Sequence, residues 1–387
     1  MVKRVKIPKP EPYTLEQFTI REAIQVQFKL VDIITKHFNG EELLWAGDYG
    51  HRRTEEKHAG VRIYQHPEYT VKVENVFAEL FDAKEATLTR GAGTGAIRDM
   101  FMGALDHGDQ IIVDDSIIYT TTKVTMNKMG LDVIEVDFDD LNGLEKAINR
   151  KTKAVHVVHA PETKKYHLSD VIDTVRSTKI NPLILVDDNY VAGRVTKIGV
   201  QLGADVSTFS MFKTLGKEGM GIVIGGTERG AEIVNQIRIN ERSSAGLTPQ
   251  GPEAMDTLKS FIYVPVMSAI QKEVVDEVCD RLNRGEINEV DWAISVCSAY
   301  RCVYVKLTKP IAKKVYEAAW KYGSYARTIG VESRHEITGR ISTLSVGSAL
   351  GFKDFPENYF LKISVYRAGS DTIINMLRAS INEAKKT

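Results

Sequence analysis

Apolar side chains recur at helical spacing over residues 14–38, TLEQFTIREAIQVQFKLVDIITKHF, and predict an N-terminal helix. Residues 45–70 mix Gly, His, Tyr and Arg with weak periodicity and read as an extended or looped segment. From about residue 70 the pattern becomes regular. Short apolar runs occur at ATLTR (86–90), QIIVD (110–114), DVIEV (132–136), AVHVV (154–158), LILVD (183–187), DVSTFS (205–210) and GIVIG (221–225). Helical patterns near 95–105, 120–129, 140–149 and 168–178 fall between them. Strands alternating with helices predict an α/β fold with a mostly parallel sheet covered on both faces.

After residue 225 the pattern changes. A helix near 228–240 precedes the turn-rich SSAGLTPQG (243–251), and a long helical segment then runs to about 284, where NRGE ends it. CVYVKL, ISTLSV and FLKISV, with two or more helices, predict a smaller C-terminal α+β domain. The expected division is an N-terminal helix and extended segment (1–69), a large α/β domain (70–260), and a connecting helix with the small domain (261–387). The chain shows no internal repeat and no low-complexity segment.

Charge narrows the classes of partner. Lys plus Arg and Asp plus Glu both number 51, so the formal net charge is zero and no broad basic field points to nucleic acid or an anionic membrane. No run approaches the length of a membrane span. The basic start MVKRVKIPKPEPY has no apolar segment behind it and does not read as a signal peptide. Cys279, Cys297 and Cys302 lack zinc or redox spacing, which fits free thiols in a cytoplasmic protein. No H-E-x-x-H or paired metal spacing is present, so no metal site is expected.

Three features fall at strand ends of one sheet. Lys213 follows DVSTFS and Ser210, at the carboxyl edge where ligands of α/β sheets bind. A lysine amine in a desolvated place loses proton affinity and becomes a nucleophile able to form a Schiff base with an aldehyde such as that of pyridoxal-5′-phosphate (PLP). Asp187 continues LILV, and a carboxylate there would keep a pyridine nitrogen protonated; Asp188 is the alternative, and Tyr190 would reach the ring's O3′ side. Gly91-Ala92-Gly93-Thr94-Gly95-Ala96 lies between a strand and a helix, where backbone N–H groups bind phosphate. Each feature alone is weak: a surface lysine, a capping acidic pair and a tight turn would look the same.

Together, VDDNYVAGRVTKIGVQLGADVSTFSMFKTLGKEGMGIVIG (186–225) resembles the lysine segment of fold type I PLP enzymes, in particular the class V aminotransferase group, with the YhfS-like group as the nearest likeness. A weaker resemblance extends over residues 70–260. Asp115-Ser116-Ile117-Ile118-Tyr119-Thr120-Thr121-Thr122 is similar to the segment of the cystathionine/methionine lyases that carries a ring-stacking tyrosine, which makes Tyr119 that candidate. The resemblance implies that Gly93, Thr94 and Ser210 hold the phosphate, with Gly95 a further cofactor-binding residue of the same turn. It implies a homodimer with sites at the subunit boundary, and Arg367 in FLKISVYRAGSDTI as the partner of the substrate carboxylate, with Arg340 next. Asp48-Tyr49-Gly50-His51-Arg52 is a loose counterpart of the lyases' phosphate-binding Tyr-x-Arg, with Arg52, Arg53 and Arg62 all candidates for that arginine, and His159 is a further strand-end candidate. Phe212 before the lysine, and the lack of a cysteine in an active-site loop, speak against a desulfurase.

The expected activity is a PLP-dependent transformation of an amino acid through Lys213. Aminotransferase is the leading expectation and a β/γ-eliminating lyase the alternative. Racemisation and a non-catalytic PLP-binding role use the same apparatus and rank behind these.

Overall fold

The computed structural model describes residues 9–44, 53–58, 61–116, 119–159, 164–242, 248–297, 299–329, 332–343, 346, 350 and 356–386. The chain forms two compact units, one of residues 21–160 and 164–265, the other of residues 1–20, 161–163 and 266–387.

The first unit opens with α1 (Ile20–His37) and the short α2 (Gly40–Leu44). β1 (Arg53–His58) and β2 (Val61–Pro67) then form an antiparallel pair where an extended or looped segment was expected. α3 (Glu68–Leu80), β3 (Glu85–Arg90), α4 (Ala92–Ala104), β4 (Gln110–Asp114), α5 (Thr120–Met129), β5 (Asp132–Val136), α6 (Leu141–Ala147), β6 (Thr152–Val158), α7 (Leu168–Ser177), β7 (Leu183–Asp187), β8 (Val206–Ser210), β9 (Met220–Gly225), α8 (Glu228–Arg242) and α9 (Gly251–Phe261) follow.

Seven strands form one sheet in the order β3-β9-β8-β7-β6-β4-β5. The β5–β4, β4–β6, β6–β7 and β7–β8 pairs are parallel, and β9 pairs antiparallel with both β8 and β3. Alternation along each strand feeds two cores. Ile111, Val113, Ala154, Leu185 and Val206 pack with Ala96, Ile97, Met100 and Phe101 of α4 and with Ile233, Val234 and Ile237 of α8. Ile112, Val155, Val157, Ile184 and Val186 pack on the other face with Leu144 of α6 and Val171, Ile172 and Val175 of α7. Both faces are therefore covered, as continuous apolar strands require.

The second unit contains most of α10 (Val264–Asn283), then β10 (Val290–Ile294), β11 (Cys302–Leu307), α11 (Ala312–Ala319), β12 (Arg340–Ser342), β13 (Phe360–Ser364) and α12 (Ser370–Ala384). Its sheet is antiparallel throughout, in the order β10-β11-β13-β12.

Three local expectations differ from the structure. The first helix starts at Ile20 and not at residue 14, because Tyr13 pairs as a bridge with Cys297 and donates its N–H to Val296 O at 2.8 Å. The long helical segment is two helices, α9 and α10, since Pro265 brings no N–H and fits only the first turn of a new helix. β10, VDWAI, was not anticipated, and ISTLSV contributes only Ile341 and Ser342 to a described strand. The stop at NRGE holds, with Gly285 at φ +87°. Among the described residues no helix is long and apolar enough to cross a membrane.

Candidate active site

The carboxyl edge of the seven-stranded sheet gathers the predicted residues. Lys213 sits in a 3-10 turn, Phe212–Thr214, directly after β8. The turn is tight: Gly216 N–H donates to Met211 O at 2.7 Å and Thr214 Oγ1 donates to the same oxygen at 2.9 Å. Lys213 N–H faces Ser210 Oγ at 3.3 Å. The Lys213 ammonium lies 4.0 Å from the centre of the Tyr190 ring. Burial lowers its proton affinity below the ordinary value; the charges of Asp187 and Tyr119 oppose that, and Arg194 adds to it. An amine so placed is the kind that becomes nucleophilic.

Asp187 and Asp188 part company at the end of β7. Asp187 acts on Lys213 and on His156, and its Oδ1 accepts from Asn189 N (2.9 Å) and Asn189 Nδ2 (2.6 Å). Asp188 is fully buried, with Oδ1 2.7 Å from His159 Nδ1 and Oδ2 3.1 Å from Gly199 N. His159, the other strand-end candidate, therefore belongs to Asp188 through its ring, while its N–H donates to Asp187 O at 2.9 Å.

The glycine-rich turn is built to leave amides open. Gly91, at φ +98°, and Ala92 both donate their N–H groups to Gly219 O, at 2.8 and 2.9 Å, and Gly95 donates to Gly91 O at 2.9 Å. The Gly93 and Thr94 amides, in the first turn of α4, have no helical acceptor. A Cβ on Gly93 would stand 2.1 Å from Asn189 Oδ1, and one on Gly95 1.8 Å from Arg90 O. No acidic residue lies in this first turn, which leaves the helix N-terminus favourable to an anion. Thr94 Oγ1 is 3.1 Å from Thr121 Oγ1 on α5, the helix that begins right after the exposed Tyr119.

These donors fit PLP: open amides and hydroxyls at one end, a carboxylate and a buried lysine at the other. Residues 49–259 match the family of Cys/Met metabolism PLP-dependent enzymes. The chain belongs to that family. Residues 276–377 match the YhfS-like C-terminal domain. The uncharacterized protein YhfS of Escherichia coli (strain K12) is 37% identical over 372 residues, 95% of this chain and 98% of that protein. The crystal structure of the pyridoxal-5′-phosphate dependent protein YhfS from Escherichia coli superposes with a TM-score of 0.86 at 35% identity, covering 96% of this chain and 99% of that one. L-methionine gamma-lyase of Pseudomonas putida is 24% identical over 194 residues, 46% of this chain and 48% of its own. Cystathionine beta-lyase of Bordetella avium is 25% identical over 222 residues, 56% of this chain and 54% of its own. The chain thus spans about half the length of these two lyases. It is a PLP-dependent enzyme of fold type I.

Asn189 was not anticipated. Its Oδ1 accepts from Ser210 N at 2.9 Å while its Nδ2 donates to Asp187, and it closes over Gly93. One amide therefore touches three of the predicted residues. Its place in Asp-Asp-Asn-Tyr was the only available sign.

Arg367 and Arg340 lie in the second unit. Arg367 Nη1 donates to Glu336 O and its N–H to Ile337 O at 3.2 Å; burial lowers its proton affinity, with Glu336 opposing. Arg340 Nη2 is 3.5 Å from Ala326 O, and its buried Nε has no partner among the described residues. Arg52 and the side chains of Arg53 and Arg62 lie outside the described residues. Cys297 and Cys302 are buried, and burial pushes the Cys279 thiol up to about 12.

Proposed function

We propose that the protein is a PLP-dependent lyase that expels a β or γ substituent, leaving through sulfur, from an amino acid. The observation that carries this reading is the alignment of its cofactor-binding half with L-methionine gamma-lyase and cystathionine beta-lyase. The aminotransferase expectation has no support in these matches, and the lyase alternative fits them better.

PLP, when bound, supplies the electron sink for a carbanion at the substrate α-carbon. Lys213 is the amine that anchors the cofactor and the base that takes the α-proton, roles suited by its lowered proton affinity. Asp187 would face the pyridine nitrogen and favour its protonated form. Gly93 and Thr94 amides, with the Thr94 and Ser210 hydroxyls, hold phosphate, and Gly95 allows the turn to close. Tyr119 would lie against the ring face and Tyr190 would take its O3′ side. Arg367 receives the substrate carboxylate, with Arg340 as second choice. The working protein is a cytoplasmic homodimer.

The test is a panel of amino acids offered to holoenzyme, following keto acid, ammonia and thiol or sulfide together. Equal keto acid and ammonia without an acceptor supports elimination. Strict dependence on a keto-acid acceptor overturns it in favour of transamination.

A further inference from the structure

Arg90 closes β3 and stands immediately before the glycine-rich turn. Its guanidinium grips Glu253 in a two-pronged pair: Nη1 donates to Oε1 at 3.0 Å and Nη2 donates to Oε2. Glu253 lies in the first turn of α9, where its Oε2 also accepts from Gln250 N at 2.9 Å. One carboxylate therefore caps a helix and holds the end of a strand far away in sequence. The Arg90 hydrogen bonds keep the Glu253 carboxyl below the ordinary carboxylate range, so the pair is ionised at neutral pH.

The strand end needs such a hold. β3 is an edge of the large sheet and has a ladder on one side alone, against β9. Its last residue also shapes the turn, since Gly95 packs so near Arg90 O that a Cβ there would stand 1.8 Å from it. α9 is itself firmly seated: Phe261 meets Phe77 and Phe81 edge-on and lies tilted over Phe209. One helical turn after Glu253, the buried Thr257 presents Oγ1 to Lys217 N at 3.3 Å, just beyond the turn that carries Lys213. Lys217 O accepts from Met220 N at 3.2 Å, and Gly219 O between them takes the Gly91 and Ala92 amides. A single helix thus holds both the glycine-rich turn and the lysine turn. The ion pair is a poor device for stability, because its side chains are 33% and 26% exposed and pairs so placed contribute little. What a two-pronged pair supplies is direction, since guanidinium and carboxylate meet fork to fork.

We propose that Arg90 and Glu253 form one positioning pair, which ties the glycine-rich turn to α9 and so sets the Gly93 and Thr94 amides at the distance from Lys213 that the cofactor phosphate requires. This rests on the reading of that turn as the phosphate site. Both Nη atoms of Arg90 turn to Glu253, so the pair acts through the turn and not on the anion itself.

The experiment strips the full chain of cofactor and titrates it with PLP and, separately, with pyridoxal, which lacks the phosphate. The variants are Glu253→Gln, Arg90→Lys, the two combined, and Gly93→Ala. Glutamine at 253 can still cap Gln250 N, and lysine at 90 keeps the charge without the fork. In each single variant of the pair the dissociation constant for PLP should rise about tenfold, while that for pyridoxal stays within about twofold of wild type. The combined variant should be no more than about twofold weaker than the worse single one, because one interaction is removed once. Equal losses for the two ligands would make the pair a part of the general framework and overturn the proposal. An unchanged preference for PLP overturns it too, as does a combined variant whose losses multiply. If one single variant does not fold, the other decides; if neither folds, the pair serves the fold and the proposal falls. Gly93→Ala separates the two failures. Should it keep the full preference for PLP over pyridoxal, the phosphate reading fails and the inference with it. Should it lose that preference while the pair variants keep theirs, the inference alone fails.

Discussion

The ammonium of Lys213 stands 4.0 Å above the face of Tyr190. A ring face attracts a cation, by about 0.5–2 kcal/mol, and so helps to hold the ammonium in place. Borohydride treatment of holoenzyme should fix PLP to the peptide containing Lys213, and Lys213→Ala should abolish the labelling. Tyr190→Phe keeps the face and loses only the hydroxyl assigned to the O3′ side, so it should slow labelling less than Tyr190→Leu does. Label on another lysine would remove Lys213 from its role.

Lys213 also makes the apoprotein respond to alkali. Its proton affinity in the fold lies below the ordinary 10.5. Between the lowered folded value and 10.5 the unfolded chain binds more protons, so stability through this group rises with pH across that window. Below both values the penalty is complete. The melting temperature of wild-type apoprotein should therefore gain on that of Lys213→Met as pH rises toward 10.5. A constant difference would mean that the amine is solvated.

Gly93→Ala should damage cofactor binding selectively. The new methyl would meet Asn189 Oδ1 at 2.1 Å, and Asn189 is held by Ser210 and Asp187. Forcing a packed group aside costs about 1–3 kcal/mol, so the PLP dissociation constant should rise by roughly 5- to 150-fold. Gly40→Ala, with nothing within 4 Å, is the control. Undiminished PLP affinity in equilibrium dialysis would place the phosphate elsewhere.

Arg367→Lys replaces a planar fork with a point donor and should cost the substrate carboxylate about 1.5–3 kcal/mol. The wild type should prefer an amino acid to its decarboxylated amine, and the variant should lose most of that preference while its PLP absorbance barely changes. Retention of the full preference would pass the role to Arg340.

The large sheet was legible because its strands are buried on both faces and read as continuous apolar runs between helices. β10 was not, since a five-residue strand at an antiparallel sheet edge carries little periodic signal. The break before α10 was signalled by Pro265 and overlooked because a proline in the first turn does not interrupt the apolar pattern. Lys213, Asp187 and Gly93–Gly95 stand out as candidates because each lies at a strand end or within five residues of one. Asp187 and Asp188 could not be separated in sequence, because the side each turns to depends on Lys213 from after β8 and His159 from after β6. Asn189 was hidden for a similar reason. Its importance lies in partners from β7, β8 and α4, brought together only by folding.

Because the Asn189 amide joins Asp187 to the Ser210 backbone and lies against Gly93, the two ends of the proposed cofactor site share one hinge pin. Inorganic phosphate and pyridoxal, offered as separate molecules, would then bind with mutual help. Linkage requires the factor to be the same in either direction. In Asn189→Ala each fragment would bind as though the other were absent, so half a cofactor would no longer prepare the place for the rest.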